Sequence, residues 1–288
     1  MTPLKIKVKN IMTKNIVVAE IPGSRRRVLD LMLKTGHSEL PVVKKGTRKL
    51  IGMVTRDTLI RKPEEEDLAL LVDRNVSRIS PDESIGRTIQ IMLENNVRTL
   101  PVVDSEDEIV GVISVYDIIS KIVSKINIGE SIEKYYRRTI PTAWEETPLR
   151  VAFAIMKYLK TNVLLALDIN ANLTGIITID DLIRQAEVIV SEMKSSLTAP
   201  SEGMAWSWDP ITIVYIARSI LLFPENMKLK DVMTKNVMTV SEYTSVSRCA
   251  KLMAERDFDQ LPVIGLQGEL KGIVYDVDIL RAALKYLA

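Results

Sequence analysis

The stretch Asn96-Val-Arg-Thr-Leu-Pro-Val-Val-Asp-Ser-Glu-Asp-Glu-Ile-Val-Gly-Val-Ile-Ser-Val-Tyr-Asp117 decides how the rest of the chain is read. Two β-branched runs flank an acidic turn, so the spacing predicts a buried strand over Leu100–Val103, a turn through 104–108 and a second strand over Ile109–Ser114. A helix is expected to open near Tyr116. The same sentence recurs three times. Leu40-Pro-Val-Val leads to Gly52-Met-Val-Thr55, Leu261-Pro-Val-Ile to Gly272-Ile-Val-Tyr275, and Leu164-Leu-Ala-Leu to Gly175-Ile-Ile-Thr178. The chain is one unit used four times.

A methionine (Met32, Met92, Met156, Met253) stands eight residues before the strand-opening leucine of each unit. Leu29, Ile89, Phe153 and Ala250 lie three residues before the methionine, and Ile85, Leu149 and Val246 seven before it. That is one face of a helix, broken only by Arg25 in the first unit. Core packing explains the methionines. Ser24, Ser84 and Ser245 stand at expected N-caps, and Thr147-Pro148 is expected to do the same work. Upstream strands are predicted over Ile16–Ala19, Val76–Ile79, Ile140–Ala143 and Val237–Val240. Each unit therefore reads strand, helix, hairpin, helix. At about 60 residues a unit is small for independent stability, so pairing is expected.

The predicted units span residues 8–62, 68–123, 131–187 and 229–285, with an insertion over 191–227. Residues 195–203 of the insertion read as loop. Trp206, Trp208 and the apolar run Ile211–Phe223 need a surface to cover, either their own repeats or a partner.

Bulk properties remove several classes of function. The 288 residues are 47% hydrophobic and 26% charged, with a net charge of +2, so no global field favours nucleic acid or anionic lipid. The single cysteine, Cys249, excludes an internal disulfide and suggests a reducing, cytoplasmic setting. One histidine, His37, removes most imidazole-based metal and acid–base chemistry. The apolar run Ile211–Phe223 carries Arg218 and is too short to cross a bilayer, and Met1-Thr-Pro-Leu-Lys lacks the apolar core of a secretory leader. No Gly-x-Gly-x-x-Gly, Walker loop, metal cluster or triad is present, so an enzyme is not expected.

Leu-Pro-Val-Val, then Gly followed by two hydrophobics, Ser/Thr-x-x-Asp, and a preceding Met-Thr-Lys-Asn (Met12–Asn15, Met233–Asn236) resemble the CBS domain. The resemblance covers nearly the whole chain outside the insertion. It implies an α/β (α+β) fold of four CBS repeats, each β-α-β-β-α, paired into two Bateman modules that form a disc. It is similar to the γ subunit of AMP-activated kinase and to stand-alone prokaryotic CBS proteins. It implies a regulatory, energy-sensing role, with AMP, ADP, ATP or S-adenosylmethionine bound between paired units and no catalytic cofactor. The implied partners are that adenosine-containing small molecule and an unidentified protein effector, with no metal, membrane or nucleic acid. The assembly is a monomeric disc or a homodimer. A ligand-free scaffold that docks through 203–223 is the alternative.

Within that resemblance, Ser/Thr-x-x-Asp at the strand-to-helix corner is the expected ribose grip, because a carboxylate accepts from both sugar hydroxyls. The same pattern is also a capping box that needs no ligand. Ser114 and Asp117 carry it in unit two, and Thr178 and Asp181 in unit three. In unit four Asp278 is in register but Tyr275 replaces the small hydroxyl; in unit one Asp57 is one place early. Units two and three are the expected competent clefts. Base contacts are expected from Val97 and Pro101 in unit two and from Val163 and Leu165 in unit three. Arg98 matches a position that faces phosphate or carboxylate. Arg25 to Arg27, Arg137, Arg138, Arg184 and His37 are further candidates.

Overall fold

The computed structural model describes residues 6–62, 64–185, 187–197 and 212–287, and for 60–61, 183, 187–197 and 212–222 the backbone alone. Unit one contains β1 (Ala19–Ile21), α1 (Arg25–Thr35), β2 (Glu39–Lys44), β3 (Leu50–Thr55) and α2 (Arg56–Arg61). Unit two contains α3 (Ile85–Glu94), β4 (Thr99–Val103), β5 (Ile109–Ser114) and α4 (Val115–Ile118), continued by a π-helical turn over Ile119–Val123. Unit three contains β6 (Thr142–Trp144), α5 (Leu149–Leu159), β7 (Val163–Leu167), β8 (Leu173–Thr178) and α6 (Ile179–Gln185). After β9 (Glu187–Leu197) and β10 (Thr212–Leu222), unit four contains α7 (Leu229–Val232), β11 (Val240–Ser241), α8 (Val246–Arg256), β12 (Gln260–Ile264), β13 (Leu270–Tyr275) and α9 (Asp276–Leu287).

The repeat holds down to the register. In each unit the Leu-led strand pairs antiparallel with the Gly-containing strand, and each hairpin slips by one residue at the same place: Val42/Val43, Val102/Val103, Ala166/Leu167 and Val263/Ile264. Met32, Met92, Met156 and Met253 are buried, as the helical spacing requires, each contributing roughly 1.5–3 kcal/mol of apolar transfer. Ser24, Ser84 and Ser245 cap their helices by accepting from the N–H of Arg27, Arg87 and Arg248.

Two expectations shift. Pro148, not Thr147, occupies the N-cap of α5, with no side-chain cap bond. The upstream strands sit one to three residues later than predicted, over Ala19–Ile21, Thr142–Trp144 and Val240–Ser241, and in unit two reduce to one bridge, Ile79 to Val102. The reason is a competing use of the preceding residues. Thr13 bridges Val112, Asp73 bridges Met53, Arg137 bridges Ile273 and Thr234 bridges Ile176, so each leading segment first crosses the sheet of its paired unit. This exchange joins unit one to two, and three to four.

Those crossings explain the strand glycines. A Cβ on Gly52 would lie 2.0 Å from the Asp73 carbonyl oxygen, one on Gly111 2.8 Å from that of Thr13, and one on Gly272 2.5 Å from that of Arg137. Only glycine lets the crossing backbone lie flat on the sheet.

The helices join the two pairs unequally. Unit two and unit four share one large core, in which Ile89, Ile118, Ile119 and Ile122 lie with Cys249, Ala250, Ala282 and Ala283. Units one and three keep separate smaller cores. The insertion forms an antiparallel ribbon, β9 with β10, that pairs with no other strand among the described residues. Trp206, Trp208 and most of the loop expected over 195–203 lie outside the described residues.

Candidate functional site

Each second strand ends at a corner where the chain turns into a helix, and the four corners are chemically different. In unit two, Ser114 Oγ accepts from the Asp117 N–H (3.1 Å) while Asp117 Oδ2 accepts from the Ser114 N–H (2.9 Å) and hydroxyl (2.8 Å). This is the capping box. Its other oxygen, Oδ1, accepts from the Thr13 hydroxyl (3.1 Å) and the Lys121 ammonium (2.6 Å), and the residue is only 5% exposed. Lys121 also donates to the Ile11 carbonyl at 2.6 Å. Every side of this carboxylate is taken by the protein.

In unit four, Asp278 is 1% exposed and more heavily bound. Arg137 donates from Nε to Oδ2 (3.0 Å) and from Nη2 to Oδ1 (3.1 Å), Arg281 donates to Oδ1 (3.1 Å), and the Tyr275 N–H to Oδ2 (3.2 Å). The Arg137 guanidinium lies over the Tyr275 ring, 4.5 Å from its centroid. In unit one the acid is missing: Thr55 and Thr58 hydroxyls face each other at 3.0 Å, and Asp57 lies in the first helical turn.

Unit three differs from all of these. Asp181 Oδ2 accepts from the Thr178 N–H (2.9 Å) and hydroxyl (2.7 Å), completing the same local box. Among the described residues, no hydrogen bond reaches Asp181 Oδ1. The crossing residue that reaches the carboxylate in units two (Thr13) and four (Arg137) is Thr234 here, bridged to Ile176. The neighbouring Asp180 turns the other way and pairs with Arg56 of unit one at 2.5 Å.

The other expected contacts are dispersed. Val163 and Leu165 are buried in or beside the sheet of unit three, and Pro101 is buried in β4. Val97 is partly buried against the shared core, and His37 is exposed. Arg98 does not stand free for an anion. Its guanidinium forms a fork to both oxygens of Asp276 (2.9 and 2.6 Å) and reaches Asp259 at 3.0 Å, linking unit two to unit four. Burial pushes the Asp276 carboxyl up to about 6, even though Arg98 pulls it down. Glu39 beside it is likewise raised, mainly by burial.

Sequence reasoning did not single out Thr13, Lys121 and Thr234, and offered Arg137 only as a candidate cation for an anionic ligand group, whereas it pairs with Asp278. The signal for two of them was present in the repeated Met-Thr-Lys-Asn, whose threonine is the crossing residue. A cavity of about 380 Å³ opens near the hairpin turns of units three and four, beside Asn172, Lys235 and Gly268, and is lined by neither Asp181 nor Asp278. Among the described residues no His, Cys, Asp and Glu cluster could hold a metal, and no helix is long and apolar enough to cross a membrane.

Comparison with known proteins agrees with this architecture. A relative from Methanocaldococcus jannaschii, the uncharacterized protein MJ1225, is 24% identical over 93% of this chain and 95% of its own length. The crystal structure of MJ1225, described there as a proposed archaeal homologue of γ-AMPK, superposes with a TM-score of 0.71 at 23% identity, covering 96% of this chain and 99% of that one. The structure of an uncharacterized conserved protein from Pyrococcus horikoshii superposes with a TM-score of 0.67 at 27% identity, covering 96% and 99%. The CBS domain family matches at residues 8–65, 67–124, 132–187 and 229–285, and with four copies spanning most of its length the chain belongs to the CBS-domain family.

Proposed function

We propose that this protein is a non-catalytic regulatory subunit whose third corner binds the ribose of an adenosine-containing ligand: AMP, ADP, ATP or S-adenosylmethionine. The observation that carries this reading is Asp181 Oδ1, which accepts no hydrogen bond among the described residues, beside a Thr178 box that fixes the other oxygen. A vicinal diol has two donors to offer, and a held carboxylate with spare acceptor capacity is its complement. Family membership supports the ligand class, and the leading segment of unit four brings Thr234 against Ile176, two residues before Thr178. Asp180 sits next to Asp181 and is tied to Arg56 of the other pair, so occupancy at this corner has a direct route to the junction between modules.

The test is thermal melting with each of the four compounds at millimolar concentration, repeated on Asp181→Asn. A stabilising ligand raises the melting temperature by mass action, and the variant loses that rise. No protection of the wild type by any of the four, or equal protection of the variant, would overturn the reading. Mass spectrometry of small molecules retained through native purification then identifies the ligand.

A second reading is a ligand-free scaffold that docks through 203–223. It draws on the isolated ribbon β9–β10, since a two-stranded hairpin by itself is marginal in water. Deleting 203–223 should then abolish capture of a partner while leaving every ligand response unchanged.

A further inference from the structure

We infer that Arg137 is the built-in occupant of the fourth corner, and that removing it uncovers a second site for the same class of diol-bearing nucleotide. The inference extends the proposed ribose grip at Asp181 and rests on that reading for the class of ligand.

The geometry is that of a ligand held by its own chain. Nε and Nη2 of Arg137 donate side by side to the two oxygens of Asp278 at 3.0 and 3.1 Å. Two parallel donors on one carboxylate are what the 2′ and 3′ hydroxyls of a ribose present. The flat guanidinium lies on the Tyr275 ring at 4.5 Å, and Tyr275 stands where unit three has the small hydroxyl of Thr178. The arginine is delivered by backbone: its N–H and carbonyl pair with Ile273 at 2.8 and 3.0 Å, over the bare Cα of Gly272. The third corner is the internal control. The same crossing position holds Thr234, the same strand end holds Thr178, and there, among the described residues, no hydrogen bond reaches the second oxygen of Asp181. Beside the carboxylate, the fourth corner differs from the third in carrying Arg137 in place of Thr234 and Tyr275 in place of Thr178.

Electrostatics explains why the occupant is a cation. Asp278 is nearly inaccessible, and an unpaired carboxylate there would be costly, whereas Asp181 is only partly buried and tolerates an open side. Arg281 also reaches Asp278 and would keep a counter-charge beside it once Arg137 is gone. The Arg137 side chain is about half exposed, so no buried group has to move to release it. With Arg137 in place the fourth corner is permanently clamped to the segment that leads into unit three, and ligand response is confined to the third corner.

The experiment is AMP binding by equilibrium dialysis and calorimetry on the full chain. Wild type should take up one equivalent. Arg137→Thr with Tyr275→Thr, which writes the third corner's pattern into the fourth, should take up two, and adding Asp278→Asn should return it to one. Conversely, Thr234→Arg with Thr178→Tyr should abolish wild-type binding by filling the third corner. A folded Arg137→Thr/Tyr275→Thr protein that still binds one equivalent overturns the inference. If that variant fails to fold, the reciprocal pair decides: undiminished AMP binding by a folded Thr234→Arg/Thr178→Tyr protein overturns it. Should wild type bind none, the reading of Asp181 fails by itself. A single equivalent gained by the double variant and lost again with Asp278→Asn would still support the plug, and none gained would overturn it.

Discussion

Replacing Arg98 with alanine should destabilise the protein in a way that grows with pH. Asp276 is 2% exposed, and its carboxyl is lifted from 3.8 to about 6, by burial first and against the pull of Arg98. Removing one partner of a buried pair ordinarily costs about 3–5 kcal/mol. Here protonation offers a cheaper exit. A carboxyl whose folded pKa exceeds its unfolded one stabilises the fold below that window and loses the contribution as pH rises through the folded value. In Arg98→Ala the folded value climbs further, so at pH 5 the carboxyl is neutral in variant and wild type alike and the electrostatic cost is near zero. Between pH 6 and 7 the wild type has ionised while the variant still holds its proton, at about 1.4 kcal/mol per pH unit. The electrostatic penalty is thus about 1.4 kcal/mol at pH 7 and about 3 kcal/mol at pH 8, until the variant's own carboxyl ionises. Glu39, also raised by burial and also eased by Arg98, adds in the same direction. The assay is urea unfolding of both proteins at pH 5, 6, 7 and 8, with Arg98→Ala/Asp276→Asn as the control that flattens most of the slope. An equal cost at pH 5 and pH 8 would refute the argument that Arg98 serves to keep a buried carboxylate ionised between units two and four.

The remaining predictions concern the scaffold. Gly52→Ala should cost about 1–3 kcal/mol or more, because its Cβ meets the Asp73 carbonyl at 2.0 Å and pries the crossing segment from β3; an unchanged melting temperature would contradict the close approach. Met253→Ala should cost about 2–5 kcal/mol by leaving a cavity in the core shared by units two and four; a loss below about 1 kcal/mol by denaturant unfolding would mean that core is loosely packed. Ser245→Ala should cost about 1 kcal/mol through loss of the cap on α8, read from the same titration. Burial holds the Cys249 thiol at about 12, so the native protein should not react with a thiol reagent at pH 8, and reaction should appear only with unfolding; rapid native labelling would refute the burial.

Much of the fold was legible in the chain because it is written four times. Periodicity placed the buried methionines, the serine caps and the Leu-led hairpins, all of which depend on neighbours a few residues apart. The short leading strands were displaced because their approach residues are claimed by a sheet in another unit, and a contact made across about 100 residues, as from Thr13 to Val112, leaves no local pattern.

The corners divide along the same line. The sequence alone determined that each unit ends its second strand in a hydroxyl-and-carboxylate box or a recognisable departure from it, since residues three apart on a first helical turn must meet. Only the tertiary structure decided which carboxylates are spoken for. Asp117 and Asp181 complete the same box, yet the second oxygen of Asp117 is taken by Thr13, 104 residues away, and by Lys121, which stands where unit three has Gln185, while among the described residues nothing binds the second oxygen of Asp181. Arg98, well placed in sequence to meet a phosphate, is held instead by Asp276, 178 residues away, and by Asp259. Hydrogen-bond capacity is a property of the residue type, and whether that capacity is already used is a property of the neighbours that folding brings.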